Sequence, residues 1–182
     1  MFEERSPAAV LLLNSFLITL WHYIVYCMCV SFDTSFFDES KRIYRSFRWE
    51  QEGRIYSDKL RIQKWKDILP AHTGKDGFSK VHLGDVTVEH LNEFIMETCR
   101  GEWDHTMNCA VIVLLFAVND ISTASCFSIL VIAGNLPFVI IQRYNRFRLQ
   151  KLRLIIIRKQ QKRGVGLRDR EGIEKNAGNK AK

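Results

Sequence analysis

Two long stretches of this 182-residue chain lack charge. No Asp, Glu, Lys or Arg occurs from Ser6 to Phe32, and from Trp103 to Gln142 only Asp104 and Asp120 interrupt the absence. This segregation excludes an ordinary soluble domain, although 47% hydrophobic residues, 26% charged residues and a mean hydropathy of −0.11 resemble one on average. Cysteine pairing is missing as well. The five cysteines are odd in number, and Cys27, Cys29, Cys109 and Cys126 lie in apolar stretches without the spacing of a metal knuckle or a secreted disulfide framework. They are expected as buried free thiols. The length fits one fold without a large second domain. The net charge of +7 arises beside the apolar runs, so anionic lipid head groups, and no nucleic acid, are the expected partner.

Residues 8–30, AAVLLLNSFLITLWHYIVYCMCV, match the roughly 30 Å hydrocarbon core at helical rise and predict a transmembrane helix. A signal peptide is not expected, because Glu3 and Glu4 stand where a basic leader belongs and no small-x-small site follows. Trp21, Tyr23 and Tyr26 suit head-group depth. Residues 107–141 are too long for one span and are interrupted by Asn119-Asp120, which predicts a hairpin. Its first arm reaches only about 18 Å and is short or re-entrant, whereas Ile121 to Ile141 is long enough to cross, with a kink at Pro137. Nine Lys or Arg lie between Lys41 and Lys66. Nine more lie between Gln142 and Arg163, without an acidic residue. Positive loops stay cytoplasmic, so residues 31–106 and the C-terminus are expected there in a multi-pass cell-membrane protein. Residues 142–163 read as a basic juxtamembrane helix and 164–182 as a disordered tail.

Within the cytoplasmic interfacial region 31–106, aromatics are interleaved with Arg and Lys. RIQKWKDIL puts Ile62, Trp65 and Leu69 on one helical face, which fits a surface-lying helix or a head-group site formed by Lys64, Trp65, Lys66 and Asp67. KDGFSK, with Gly74 and Gly77, reads as a flexible loop. Thr87 can cap a helix over about 88–106 with an apolar stripe Leu91, Phe94, Ile95, Thr98. Continued at helical spacing, that stripe reaches Glu102 and His105. Ionisable groups at a membrane edge are expensive and point to function. His105 is therefore the candidate general base and Glu102 its orienting partner; a histidine bonded across the hairpin is the structural alternative. Glu97, Arg100 and Asp104 share a neighbouring face as a salt-bridge set or substrate contact. No metal is expected, since bundle metal sites need two Glu-x-x-His motifs and one is present. His22 is expected as an interfacial or helix-packing residue, and His72, His82 and His90 have no spaced acidic or cysteine partner. Arg143, Tyr144, Asn145 and Arg146 form a candidate binding string in which two arginines one turn apart can hold a phosphate or carboxylate; plain anchoring is the alternative.

Three segments, KWKDILP at Lys64 to Pro70, ETCRGEWDH at Glu97 to His105 and NLPFVIIQRYNRFRL at Asn135 to Leu149, together resemble the glycosyl-4,4'-diaponeurosporenoate acyltransferase family of staphyloxanthin-type carotenoid biosynthesis. The resemblance runs from about Ala8 to Arg163, with Gln142 to Arg146 its most specific part. It implies an acyltransferase that esterifies a sugar hydroxyl of a glycosylated carotenoid with a fatty acyl group, without a cofactor. Membrane lipid and a fatty acyl donor are the implied partners, with other pathway enzymes beside them. No serine or cysteine sits in a nucleophile elbow, so direct transfer is expected over an acyl-enzyme route. Two readings stay open beside this one: a non-catalytic membrane scaffold, and an acyltransferase acting on a different membrane glycolipid. Gly101 departs from the expected helix former and is expected to loosen the helix before Glu102. The fold expected is mainly α and integral to the membrane: one N-terminal transmembrane helix, a cytoplasmic interfacial region and a C-terminal helical hairpin.

Overall fold

The computed structural model describes residues 5–68 and 87–180, with side chains described through residue 162. Leu69, Pro70, His72, Gly74, the KDGFSK stretch and His82 lie outside the described residues. Among those described, the chain is helical and has no strand.

Helix α1, Pro7–Ser31, starts where Ser6 Oγ accepts the Ala9 N–H at 3.3 Å and Pro7 supplies the fixed φ of a first helical residue. Its 25 residues rise roughly 37 Å. Leu11, Leu12, Phe16, Tyr23 and Val30 are exposed on it, as lipid-facing side chains are. After a 3₁₀ turn at Thr34–Phe37 and another at Arg48–Gly53, the short helix α2 covers Arg54–Asp58. The expected surface helix at RIQKWKDIL is absent. Two 3₁₀ turns, Ile62–Lys64 and Lys66–Ile68, replace it. Arg61 takes a left-handed φ of 47° and Trp65 a non-helical φ of −128°, while fully buried Ile62 packs with Tyr56 and Tyr144. Tertiary packing overrides the local period.

Helix α3, Val88–Asn108, is capped by Thr87 Oγ1 accepting the His90 N–H at 3.2 Å, as expected. Leu91, Ile95, Thr98, Cys99 and Glu102 are its buried stripe, and Phe94 and His105 are half-buried at its edges. Helix α4, Val111–Val118, has only 8 residues and is too short to cross. Asp120 then accepts the Ser122 and Thr123 N–H groups and starts α5, Ile121–Lys180. This helix passes through Pro137 and continues without a break over 142–163, so the juxtamembrane helix is its continuation. It also includes residues 164–180, for which the composition predicts a disordered tail; no proline interrupts that stretch.

Helices α1 and α5 are the two described helices long and apolar enough to cross a membrane. Helices α3 and α5 pack along their length, with Leu91 and Ile95 on Leu149. Gly101 makes that approach possible. A Cβ there would stand 2.8 Å from Gln142 Nε2, so the glycine reflects close packing rather than a loosened helix. Helix α1 joins through buried amides: Asn14 Nδ2 donates to Asn119 Oδ1 at 3.1 Å, and Asn119 Nδ2 donates back to Asn14 Oδ1 at 2.7 Å. The start of α1 and the Asn119-Asp120 turn therefore occupy the same end of the molecule.

Candidate functional site

Some twenty residues into α5 the packing encloses charge. Glu50, Glu102, Arg143 and Arg146 are all buried, a two-against-two arrangement without net charge. Arg143 Nε and Nη2 hold the two Glu50 oxygens at 2.7 and 2.8 Å, Nη1 bonds Glu102 Oε1, and Nη2 also reaches Arg45 O at 3.0 Å. Arg146 Nη2 bonds Glu102 Oε2, and its Nη1 lies 3.2 Å from Cys99 Sγ. The Phe47 and Tyr44 rings lie under the two guanidiniums, 4.9 and 5.8 Å away. Tyr56 O–H and the Phe47 N–H complete the Glu50 shell. Burial opposes ionisation of Glu50, but Arg143, Tyr56 and the Phe47 amide outweigh it and hold its pKa below the usual carboxylate range. Burial, reinforced by Glu50, pushes the Tyr56 phenol up.

The backbone that delivers Glu50 is strained. Gln51, Glu52 and Gly53 all have positive φ, at 50°, 56° and 86°, and a Cβ on Gly53 would stand 2.9 Å from the Phe147 side chain. Such a reversal persists only where the surroundings over-determine it, and here the Glu50–Arg143 pair and the Phe147 contact do so.

His105 and Glu102 share one face of α3, as expected, but they have different partners. The Glu102 carboxylate serves the two arginines. His105 Nδ1 lies 3.1 Å from Asn135 Oδ1 and its ring stacks on Phe138, with centroids 4.7 Å apart and planes 15° apart. Asn135 Nδ2 donates to Val131 O at 3.0 Å, which leaves its oxygen toward the imidazole. With Nδ1–H donating to that oxygen, Nε2 carries the lone pair. Asn135, and not Glu102, is therefore the side chain hydrogen-bonded to His105.

The remaining expected residues divide. Glu97 and Arg100 pair at 2.6 Å on a part-exposed face, with Arg100 over Phe37. Asp104 instead accepts from Asn108 Nδ2 at 3.3 Å. Lys66 pairs with neighbouring Asp67, Trp65 Nε1 donates to Leu60 O at 2.9 Å and Lys64 is exposed. Tyr144 is buried against Tyr56 and Ile62 rather than offered to a ligand, and Asn145 is half-buried. His22 Nδ1 lies 2.8 Å from Ile18 O. Sequence reasoning missed Glu50 and Asn135. Glu50 is an acid within a run of nine cations, a weak signal; Asn135 lies in the apolar stretch of α5, where a polar amide stands out. Beside the arginines is a cavity of about 250 Å³ lined by Glu39, Tyr44, Arg45, Ser46, Arg146 and Gln150, with Phe147 and the edge of Arg143.

A family model described as Glycosyl-4,4'-diaponeurosporenoate acyltransferase matches residues 40–154, a span that holds every member of the buried quartet, His105 and Asn135 but not α1. A curated protein of that name from Staphylococcus aureus strain MRSA252 is 28% identical over 127 residues, covering 68% of this chain and 76% of that protein. Its counterpart from strain Newman is 29% identical over the same length. No solved structure matches the chain.

Proposed function

The chain belongs to the glycosyl-4,4'-diaponeurosporenoate acyltransferase family, and on that premise we propose that it transfers a fatty acyl group to a sugar hydroxyl of a glycosylated carotenoid in the membrane, the last step of staphyloxanthin-type synthesis. It is a membrane protein with two apolar helices of spanning length. The observation that carries the reading is the presence of an oriented histidine, His105 on Asn135, within the matched span. Residues 31–106 and the C-terminus face the cytoplasm, with the basic residues of 41–66 and 142–163 at anionic head groups. Lys64 and Lys66 contribute to that contact.

In the reaction, His105 Nε2 takes the proton of the sugar hydroxyl as its oxygen attacks the acyl carbonyl. The new ester bond forms, the bond to the donor's leaving group breaks, and the imidazolium returns the proton to that group. A base of this kind supplies roughly 10²- to 10⁴-fold. Asn135 fixes the tautomer and Phe138 the ring plane. The quartet of Glu50, Glu102, Arg143 and Arg146 acts as a brace that locks α3 and the 47–53 turn to α5, which sets the position of His105.

The test is mass spectrometry of lipid extracts from cells that make the glycosylated carotenoid, with and without this chain. A product heavier by one esterified fatty acid is expected. Inserted protein without that product overturns the carotenoid assignment, and an acylated glycolipid in its place identifies the alternative acceptor.

A further inference from the structure

Every carboxylate oxygen around the cavity already has a partner. Glu39 is held by Arg153 at 2.6 Å and by Gln150, Glu50 by Arg143 and Tyr56, and Glu102 by Arg143 and Arg146. The donors are not used up. A guanidinium offers five N–H groups, and Arg146 places two of them on protein, at Glu102 and Cys99. Arg45 places one, from Nε to Ser40 O at 3.0 Å. Both arginines line the cavity, with Ser46 beside them and the Tyr44 and Phe147 rings as an apolar wall. A ligand here must bring acceptors. Its charge also follows: Arg45, Arg143, Arg146 and Arg153 stand against Glu39, Glu50 and Glu102, which leaves one positive charge. A neutral sugar, which needs acceptors as well as donors, is less well matched than a singly charged oxyanion.

We propose that this cavity binds the phosphate diester of the acyl donor, an amphiphile whose acyl carbonyl reaches His105 while its phosphate is held by Arg45, Ser46 and Arg146. The proposal rests on the acyltransferase reading and adds the chemical class of the donor. Position argues for a phosphate set apart from the reacting carbonyl. His105, Asn135 and Phe138 are not among the residues that line the cavity, so a carboxylate held there by Arg45 and Arg146 is not the group presented to His105, and a free fatty acid with one carboxylate cannot fill both places. Phospholipids and phosphopantetheine thioesters both carry such a diester or its equivalent.

The experiment titrates the full chain, in maltoside micelles free of phosphate, with lysophosphatidylglycerol, lauroyl-CoA or laurate, and reads Kd. Binding of at least one phosphate-bearing probe is expected, at least tenfold tighter than laurate. Preference for the first identifies a lipid donor and preference for the second a thioester carrier. Arg45→Gln, an exposed substitution that leaves the buried quartet paired, is expected to weaken binding about tenfold, as loss of a charge-assisted hydrogen bond does. Ser46→Ala is expected to weaken it several-fold, and Lys59→Gln, which removes the same charge outside the cavity, not at all. The proposal is overturned if neither phosphate probe binds, if laurate binds as well as they do, or if Lys59→Gln has the effect of Arg45→Gln. Product formation measured separately keeps the two readings apart: binding without acyl transfer sinks the reaction, and acyl transfer with an unchanged donor KM in Arg45→Gln sinks the phosphate site.

Discussion

His105 Nδ1 meets Asn135 Oδ1 at 3.1 Å across α3 and α5, a contact between residues that share no helix. His105→Ala is expected to abolish acyl transfer with insertion intact, and His105→Gln to fall below about a tenth of normal activity, because an amide cannot accept the proton. Asn135→Ala keeps the base but frees its ring, and its rate should fall about tenfold. Asn135→Asp provides a sign. A carboxylate beside the imidazole favours the imidazolium, so the acidic limb of the pH–rate profile should move to higher pH. An unmoved limb, measured as product per inserted protein, removes Asn135 from the site.

Glu102 has a different expected signature. Its substitution by Gln leaves Arg146 and one edge of Arg143 buried without their anion, and breaking a buried pair in this way costs about 3–5 kcal/mol. The loss should appear as a lowered unfolding midpoint and poor accumulation in membranes, not as a change in kcat of folded protein alone. Normal stability with a selective loss of kcat would return Glu102 to a role in the chemistry.

The pH dependence of stability follows from Glu50. Its pKa is lowered in the folded protein, so its contribution is complete above the unfolded carboxylate value near 4.3. That contribution is lost as pH falls through the lower, folded value. Unfolding midpoints followed from pH 7 to pH 3 should therefore drop below about pH 5, and Glu50→Gln should both lower the midpoint at neutral pH and flatten this acid slope. A variant that keeps the full acid slope rules Glu50 out as its source.

Two glycines distinguish strain from crowding. Gly53 combines φ +86° with the Phe147 contact, whereas the atoms nearest a Cβ at Gly101 belong to the Gln142 side chain, whose flexible end can withdraw. Gly53→Ala should cost at least about 1–2 kcal/mol from backbone conformation alone. Gly101→Ala should cost less, since the better helix propensity of Ala offsets part of the displacement. Thermal unfolding of both variants in one detergent compares them, and equal losses would contradict the distinction.

How far these features could be read in advance depends on range. Thr87 and the stripe Leu91, Ile95, Thr98, Glu102 follow a local period, so the cap, the helix and its inward face were legible. The apolar stretches of α1 and α5 were legible for the same reason. Glu50 meets Arg143 across 93 residues, and no spacing rule links them. At RIQKWKDIL the local period pointed to a helix, but burial of Ile62 against Tyr144 won. Gly101 looked like a weakness when only its own helix was considered; its reason lies on α5. Helical spacing points from His105 to Glu102, one turn away on the same face, whereas the side chain it meets is Asn135, thirty residues on.

The reciprocal amides of Asn14 and Asn119 have a consequence for biogenesis. Asn14 leaves the ribosome 105 residues before its partner, so α1 must spend that interval with a polar side chain among apolar ones. The bond from Asn14 Nδ2 to Val10 O at 2.8 Å is made within the helix and can shelter the amide while it waits. Only when Asn119, the C-cap of α4, arrives does the second half of the clasp close. This end of α1 is therefore fastened later in synthesis than its middle, where Trp21 Nε1 donates to Met107 O of α3.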